Sequence, residues 1–169
     1  MARSQWPMLA AVVALAAGAV SCSAPAAADP APGCNVLDNL TERIISVSLN
    51  EIGGPYPAVG DSAVYLTRFY DPAGKLVGTV YGKANIPFKN PEGHVMEYSE
   101  ERIELDGGVV ETQGFYDITK GIAGEWQFLP ALGTSGGYRD KLGKRSFRIL
   151  KPNALLDAKI ELCPPAQAR

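Results

Sequence analysis

His94 is the only histidine in the chain, and that alone narrows the chemistry on offer. One imidazole cannot build a metal site that needs two, and a Ser-His-Asp relay could be argued around this single residue at most. It follows Pro91-Glu92-Gly93 and reads as a surface residue opening a strand. Cys34 and Cys163 stand near the two ends of the mature chain, where in an oxidising compartment they are expected to pair; the alternative is two free thiols. The run Gly133 to Gly137 has the glycines of a phosphate loop but neither its lysine nor a following helix. Glu97, Glu101, Arg68 and Arg102 fall within strand-like runs, where solvated outer faces account for charge without a site. No motif implies a metal or an organic cofactor. Polar and aromatic strand residues remain, and Ser48, Asn50 and Tyr65 are the candidates for a ligand-binding wall.

Upstream of these residues, the first 28 positions read as a cleavable export signal. Arg3 supplies the basic start, Met8 to Val20 is almost wholly apolar, and Ala26-Ala27-Ala28 offers the small side chains a peptidase needs before Asp29. A second reading is an acylated Cys22, since Ala19-Val20-Ser21-Cys22 is an imperfect lipobox. The protein is therefore expected outside the cytoplasm, either secreted or held at a membrane surface by lipid. The apolar run is shorter than the ~20 residues a membrane helix requires. The net charge of −2, with signs interspersed, offers no basic patch for nucleic acid.

The elements that must position the candidates read as strands. Residues 29–41 form a flexible lead-in, 42–163 the domain and 164–169 a tail. Eight β-branched and aromatic runs are separated by turn residues: Arg43–Asn50, Asp61–Tyr70, Lys75–Ile86, His94–Leu105, Val109–Thr119, Glu125–Leu132, Lys144–Leu150 and Leu155–Cys163. Asp71-Pro72-Ala73-Gly74 and Asp106-Gly107-Gly108 set tight bends. No stretch has a sustained helical period, although Leu37–Ile44 could begin with a helical turn. An even number of strands with short turns can close on itself, which predicts an all-β, eight-stranded antiparallel barrel whose interior is filled or holds one small ligand.

The segment Gly133-Thr134-Ser135-Gly136-Gly137-Tyr138-Arg139-Asp140-Lys141-Leu142-Gly143 resembles the glycine-rich hairpin of the allene oxide cyclase and dirigent protein barrels. Leu49-Asn50-Glu51 at the end of the first strand, Val59-Gly60-Asp61 at the start of the second, Gly114, and Phe147 to Leu150 also match. The hairpin departs from the pattern at Thr134 and Lys141. The resemblance implies an eight-stranded barrel that commonly forms homotrimers, binds a small hydrophobic molecule and guides its cyclisation or coupling. It places Asn50 on the cyclases' water-holding Asn but Ser48 on their catalytic Glu, and a hydroxyl lacks the charge of a carboxylate.

Strand alternation leaves two assignments of the first strand open. In a lone barrel Ile45, Val47 and Leu49 point inward; in a trimer they pack on a neighbour, and Ser46, Ser48 and Asn50 line the cavity. The second assignment is the one adopted for the candidate site. Tyr65, Thr67 and Phe69 share a face, as do Trp126 and Phe128, and both sets are expected in the core or against a ligand. The functional rivals are a cyclase-like barrel, a non-catalytic lipocalin-like carrier and a structural envelope domain, and the polarity of the interior discriminates them.

Overall fold

The structure is a computed structural model that describes residues 33–52 and 54–166. The export signal and Cys22 lie outside the described residues. Strands β1 (Asn35–Asn50), β2 (Ser62–Tyr70), β3 (Leu76–Lys89), β4 (Val95–Leu105) and β5 (Gly108–Asp117) are followed by a five-residue helix, α1 (Ile118–Ile122). Then come β6 (Gln127–Gly133), a short 3-10 turn (Gly136–Tyr138), β7 (Leu142–Lys151) and β8 (Leu155–Cys163). Each strand pairs antiparallel with the next and β8 pairs with β1, so the barrel is closed and has no free edge.

β1 starts at Asn35, ahead of the Arg43 expected from the sequence, and runs straight through the stretch where a helical turn was allowed. The ladder to β8 is the reason: Leu37 pairs with Ile160 and Leu40 with Ala158. That pairing brings the strand ends together, where Cys34 and Cys163 form a disulfide across a sequence separation of 129. A loop of that length is worth ~4–5 kcal/mol in a chain-entropy account.

α1 was not legible as a helix, because five residues carry no period. Asp117 caps it by accepting from Lys120 N at 3.0 Å, and Ile118 is buried beneath it.

Connections alternate between the two barrel ends, and the ends differ. The 71–75, 106–107 and 134–141 connections and the disulfide share one end. There Leu40, Phe69, Val80, Ile103, Val110, Leu129, Ile160 and Leu162 fill the interior, all at most 3% exposed. The glycine-rich connection folds over this end and buries Tyr138. Its Gly136, at φ +61°, lies so close to the Asp106-Gly107-Gly108 bend that a Cβ would sit 2.1 Å from the Gly107 carbonyl oxygen. The motif that carries the resemblance is thus a structural plug. The 51–61 loop, the 90–94 turn, α1 and the 152–154 turn surround the other end, which stays open.

Candidate functional site

β1 carries a bulge between Ile44 and Ser46. Glu42 and Ile44 face inward before it, Ile45 is the extra residue and is exposed, and Val47 and Leu49 face inward after it. The assignment of Ser46, Ser48 and Asn50 to the cavity is therefore corrected. Ser48 and Asn50 stand exposed on the outer wall, opposite Val64 and Ser62 of β2. Of the three ligand-wall candidates, Tyr65 alone faces the interior. Trp126 and Phe128, expected in the core, are 50% and 65% exposed, because β6 turns Gln127, Leu129 and Ala131 inward.

The open half encloses a cavity of about 150 Å³. Its apolar wall includes Ile44, Leu49, Ile118, Ile122 and Phe147. A larger hollow of about 980 Å³ lies along the outer wall beside Ser46, Ser48 and Val64, but it is open and bordered by exposed ion pairs such as Lys83–Glu100 at 2.7 Å. The smaller cavity, set inside the barrel and walled by apolar side chains, is the better site because it is less open to water than the outer hollow.

The floor of that cavity is polar. Arg145, 2% exposed, donates from Nη2 to Glu42 Oε2 at 2.6 Å, and its Nε approaches Glu101 Oε2 at 3.2 Å without the alignment of a hydrogen bond. Thr67 donates to Glu42 at 2.6 Å, while Thr112 and Tyr65 donate to Glu101 at 2.8 and 2.9 Å. The Tyr65 hydroxyl also lies 2.6 Å from Ser99 Oγ. The Arg145 guanidinium stacks over Phe147 at 4.6 Å, which orients it as the carboxylates hold it. Desolvation draws the Arg145 pKa down, but Glu101 and Glu42 outweigh it and raise it. Glu42 is itself raised, by burial first, against the pull of Arg145.

Nearer the mouth lies Glu97, 3% exposed. Tyr116 donates to its Oε1 at 2.5 Å and Tyr56 donates to its Oε2. Burial raises the Glu97 pKa, and the two hydroxyls only partly offset this. Both tyrosines are raised by burial and by the carboxylate they face. Tyr56 comes from the 51–61 loop, which Asp61 braces by accepting from Ile52 N and Ala58 N, both at 2.8 Å. At the rim, His94 Nδ1 lies 2.7 Å from Asp117 Oδ2 and ties the 90–94 turn to the cap of α1.

Glu97 and Glu101 were expected on solvated faces and are instead inside. Their parity was a usable signal, since both share a face with Ile103 and Leu105 while Glu100, Arg102 and Glu104 take the other. The same holds for Arg145 with Phe147 and for Glu42 with Leu40. Arg68 and Arg102 are exposed, as expected. Among the described residues no cluster of His, Cys, Asp and Glu has the geometry to hold a metal ion.

The chain is thus a closed antiparallel barrel, plugged at one end and opening at the other onto an apolar chamber with a buried carboxylate floor. Residues 41–162 match the allene oxide cyclase barrel like domain, and the chain belongs to that family. Among solved structures it is similar to AbnU, an exo-specific intermolecular Diels-Alderase, with 29% identity, TM-score 0.71 and coverage of 76% of this chain and 96% of that one. It is also similar to the Diels-Alderase AbmU from Streptomyces koyangensis, with 33% identity, TM-score 0.70 and coverage of 78% of this chain and 64% of that one. A nonspecific heme-binding cyclase that catalyzes [4 + 2] cycloaddition during neoabyssomicin biosynthesis gives 33% identity, TM-score 0.69 and coverage of 76% and 63%. The chain thus spans just under two thirds of those last two. Pyocyanin demethylase, at 22% identity and TM-score 0.60, shares the fold. No curated protein matches the sequence.

Proposed function

We propose that this barrel takes a small, largely apolar molecule into its open half and holds it folded for ring closure. The observation that carries the reading is Glu97, a buried carboxylate gripped by Tyr56 and Tyr116 beside an apolar wall. A storage barrel needs only the wall; convergent polar groups are what chemistry adds. About 150 Å³ accommodates one six-membered ring, since an engineered apolar cavity of that size binds benzene, so the rest of a larger ligand extends into the mouth. In an intramolecular [4 + 2] closure two C–C σ bonds form as three π bonds become one, with no atom gained or lost. The protein's part is to bring the two ends together and shield them from water, and such positioning can supply ~7–11 kcal/mol of the barrier. The Glu97 carboxylate supplies the negative charge that Ser48 cannot, and it stabilises positive character developing on the folded chain.

The export-signal reading of the first 28 residues supports a protein that meets its ligand outside the cytoplasm, either secreted or tethered through Cys22. The exposed Val64, Tyr81 and Leu142 on the outer wall suit packing between copies in a homotrimer.

The test is a panel of linear trienes that differ only in their terminal group, with the ring-closed isomer separated by chromatography at unchanged mass. A neutral, environment-sensitive naphthalene dye reports binding in parallel. Acceleration of at least one member over buffer, lost in Leu49→Trp, is the expected result. Dye binding without acceleration leaves a carrier, and no binding of any compound removes the reading.

A further inference from the structure

We infer that the ligand of this cavity carries a positive charge or a hydrogen-bond donor on its apolar frame, recognised at Glu97, with an N-alkylated heteroaromatic cation or an ammonium as the chemical class that fits. The inference rests on the binding reading above and gives that site its ligand class.

Thr67, Thr112, Tyr56, Tyr65, Tyr116 and Arg145 all direct their hydrogens at Glu42, Glu97 or Glu101. Among the described residues, Arg145 Nε alone is buried without an aligned acceptor, and Glu101 stands 3.2 Å from it; a ligand carbonyl or carboxylate would find the other five residues' hydroxyl donors engaged, whereas a ligand donor finds carboxylate lone pairs. Three buried carboxylates face one buried guanidinium, which is held between Glu42 and Glu101, and the lining's other cation, Lys151, is exposed at the rim. Glu97 receives two hydroxyls and, among the described residues, no cationic side chain within ion-pair distance. A carboxylate offers roughly four lone-pair positions, so two partners leave room for a third.

The wall fits the same ligand. Tyr56, Tyr65, Tyr116 and Phe147 line the cavity, and a desolvated cation is attracted to such faces. Cation and wall thus act together: the rings replace part of the hydration shell while Glu97 replaces the counter-ion. An anion of the same shape meets the excess carboxylate charge at low dielectric and is rejected.

Three probes of matched shape test this on the full mature protein by titration calorimetry: N-methylquinolinium, 1-methylnaphthalene and 1-naphthoate. The cation is expected to bind at least about tenfold more tightly than the anion, and Glu97→Gln is expected to reduce the cation-to-neutral affinity ratio by about tenfold. Tyr56→Phe, which keeps the carboxylate, should retain the preference. Equal or tighter binding of naphthoate overturns the inference, as does a cation preference that survives Glu97→Gln. If Glu97→Gln does not fold, the wild-type order of cation over anion decides alone. Binding of methylnaphthalene with no charge preference overturns this inference and leaves the binding reading standing, whereas binding of none of the three overturns both.

Discussion

Arg145 Nη2 reaches Glu42 Oε2 at 2.6 Å across the barrel interior, from β7 to β1, over a separation of 103 residues. β8 lies between those strands in the sheet, so the pair is a cross-brace rather than a neighbour contact. Deleting one side strands a buried charge. Arg145→Ala should therefore lower the unfolding free energy by ~3–5 kcal/mol, read from urea titration. The double variant Arg145→Met with Glu42→Leu should recover part of that loss, because no charge of this pair is then left unpaired. A loss below about 1 kcal/mol in Arg145→Ala would show that water or neighbouring groups replace the guanidinium.

Cys34 and Cys163 join the beginning of β1 to the end of β8. Intact mass of the oxidised protein should lie two hydrogens below that of the reduced protein. Cys163→Ser should cost about 2–5 kcal/mol, with the barrel ladder retained at low temperature. Alkylation of both thiols without reductant would exclude the bridge.

Gly143 lies against the β8 backbone, where an added Cβ would stand 1.8 Å from the Glu161 carbonyl oxygen. Gly143→Ala therefore has to separate two paired strands, and a loss beyond about 3 kcal/mol is expected. Gly137, in the 134–141 connection that precedes β7, would place a Cβ at an ordinary 3.8 Å from the Gly107 carbonyl oxygen, so Gly137→Ala should stay within about 1 kcal/mol. Similar thermal shifts for the two variants would contradict the close approach seen at Gly143.

The barrel was legible in the sequence because alternation and turn chemistry are local. β8 illustrates this: Leu156, Ala158, Ile160 and Leu162 are inward, as their spacing demands. The site was less legible, for two physical reasons. A bulge at Ile45 shifts β1 by one residue, and nothing in a one-dimensional pattern marks it, so the inward face passes from Ile44 to Val47. Charged residues were also assigned to solvent by type. Glu101 and Arg145 occupy inward positions because they and Glu42 meet across strands far apart in the chain, and Glu97 because Tyr116 and Tyr56 donate to it; a strand read singly holds no record of those partners. Tyr56 lies in a loop whose place over the mouth depends on Asp61, a contact that alternation does not encode.

Glu97 also makes a pH prediction with a definite sign. Its folded pKa is raised above the ordinary 4.5, through burial first and with Glu101 adding to it, while Tyr116 and Tyr56 oppose the shift. A raised acid contributes stability that is fully present below the unfolded pKa and is lost as pH climbs through the folded value, because the folded state then has to carry a buried charge. Glu97→Gln keeps the side-chain shape and an acceptor for one tyrosine but has no proton to lose. The melting temperature of the variant minus that of wild type should accordingly increase between about pH 5 and about pH 8. Working with the difference cancels the other titrating groups, Glu42 included, provided they are unchanged by the substitution. A cationic probe should shrink the difference at the higher pH, since it stabilises the wild-type carboxylate and has nothing to pair with in the variant. A difference that is flat with pH, or that falls, would mean that Glu97 is ionised in the folded state as readily as in the unfolded chain, and that the two tyrosine hydroxyls outweigh its burial.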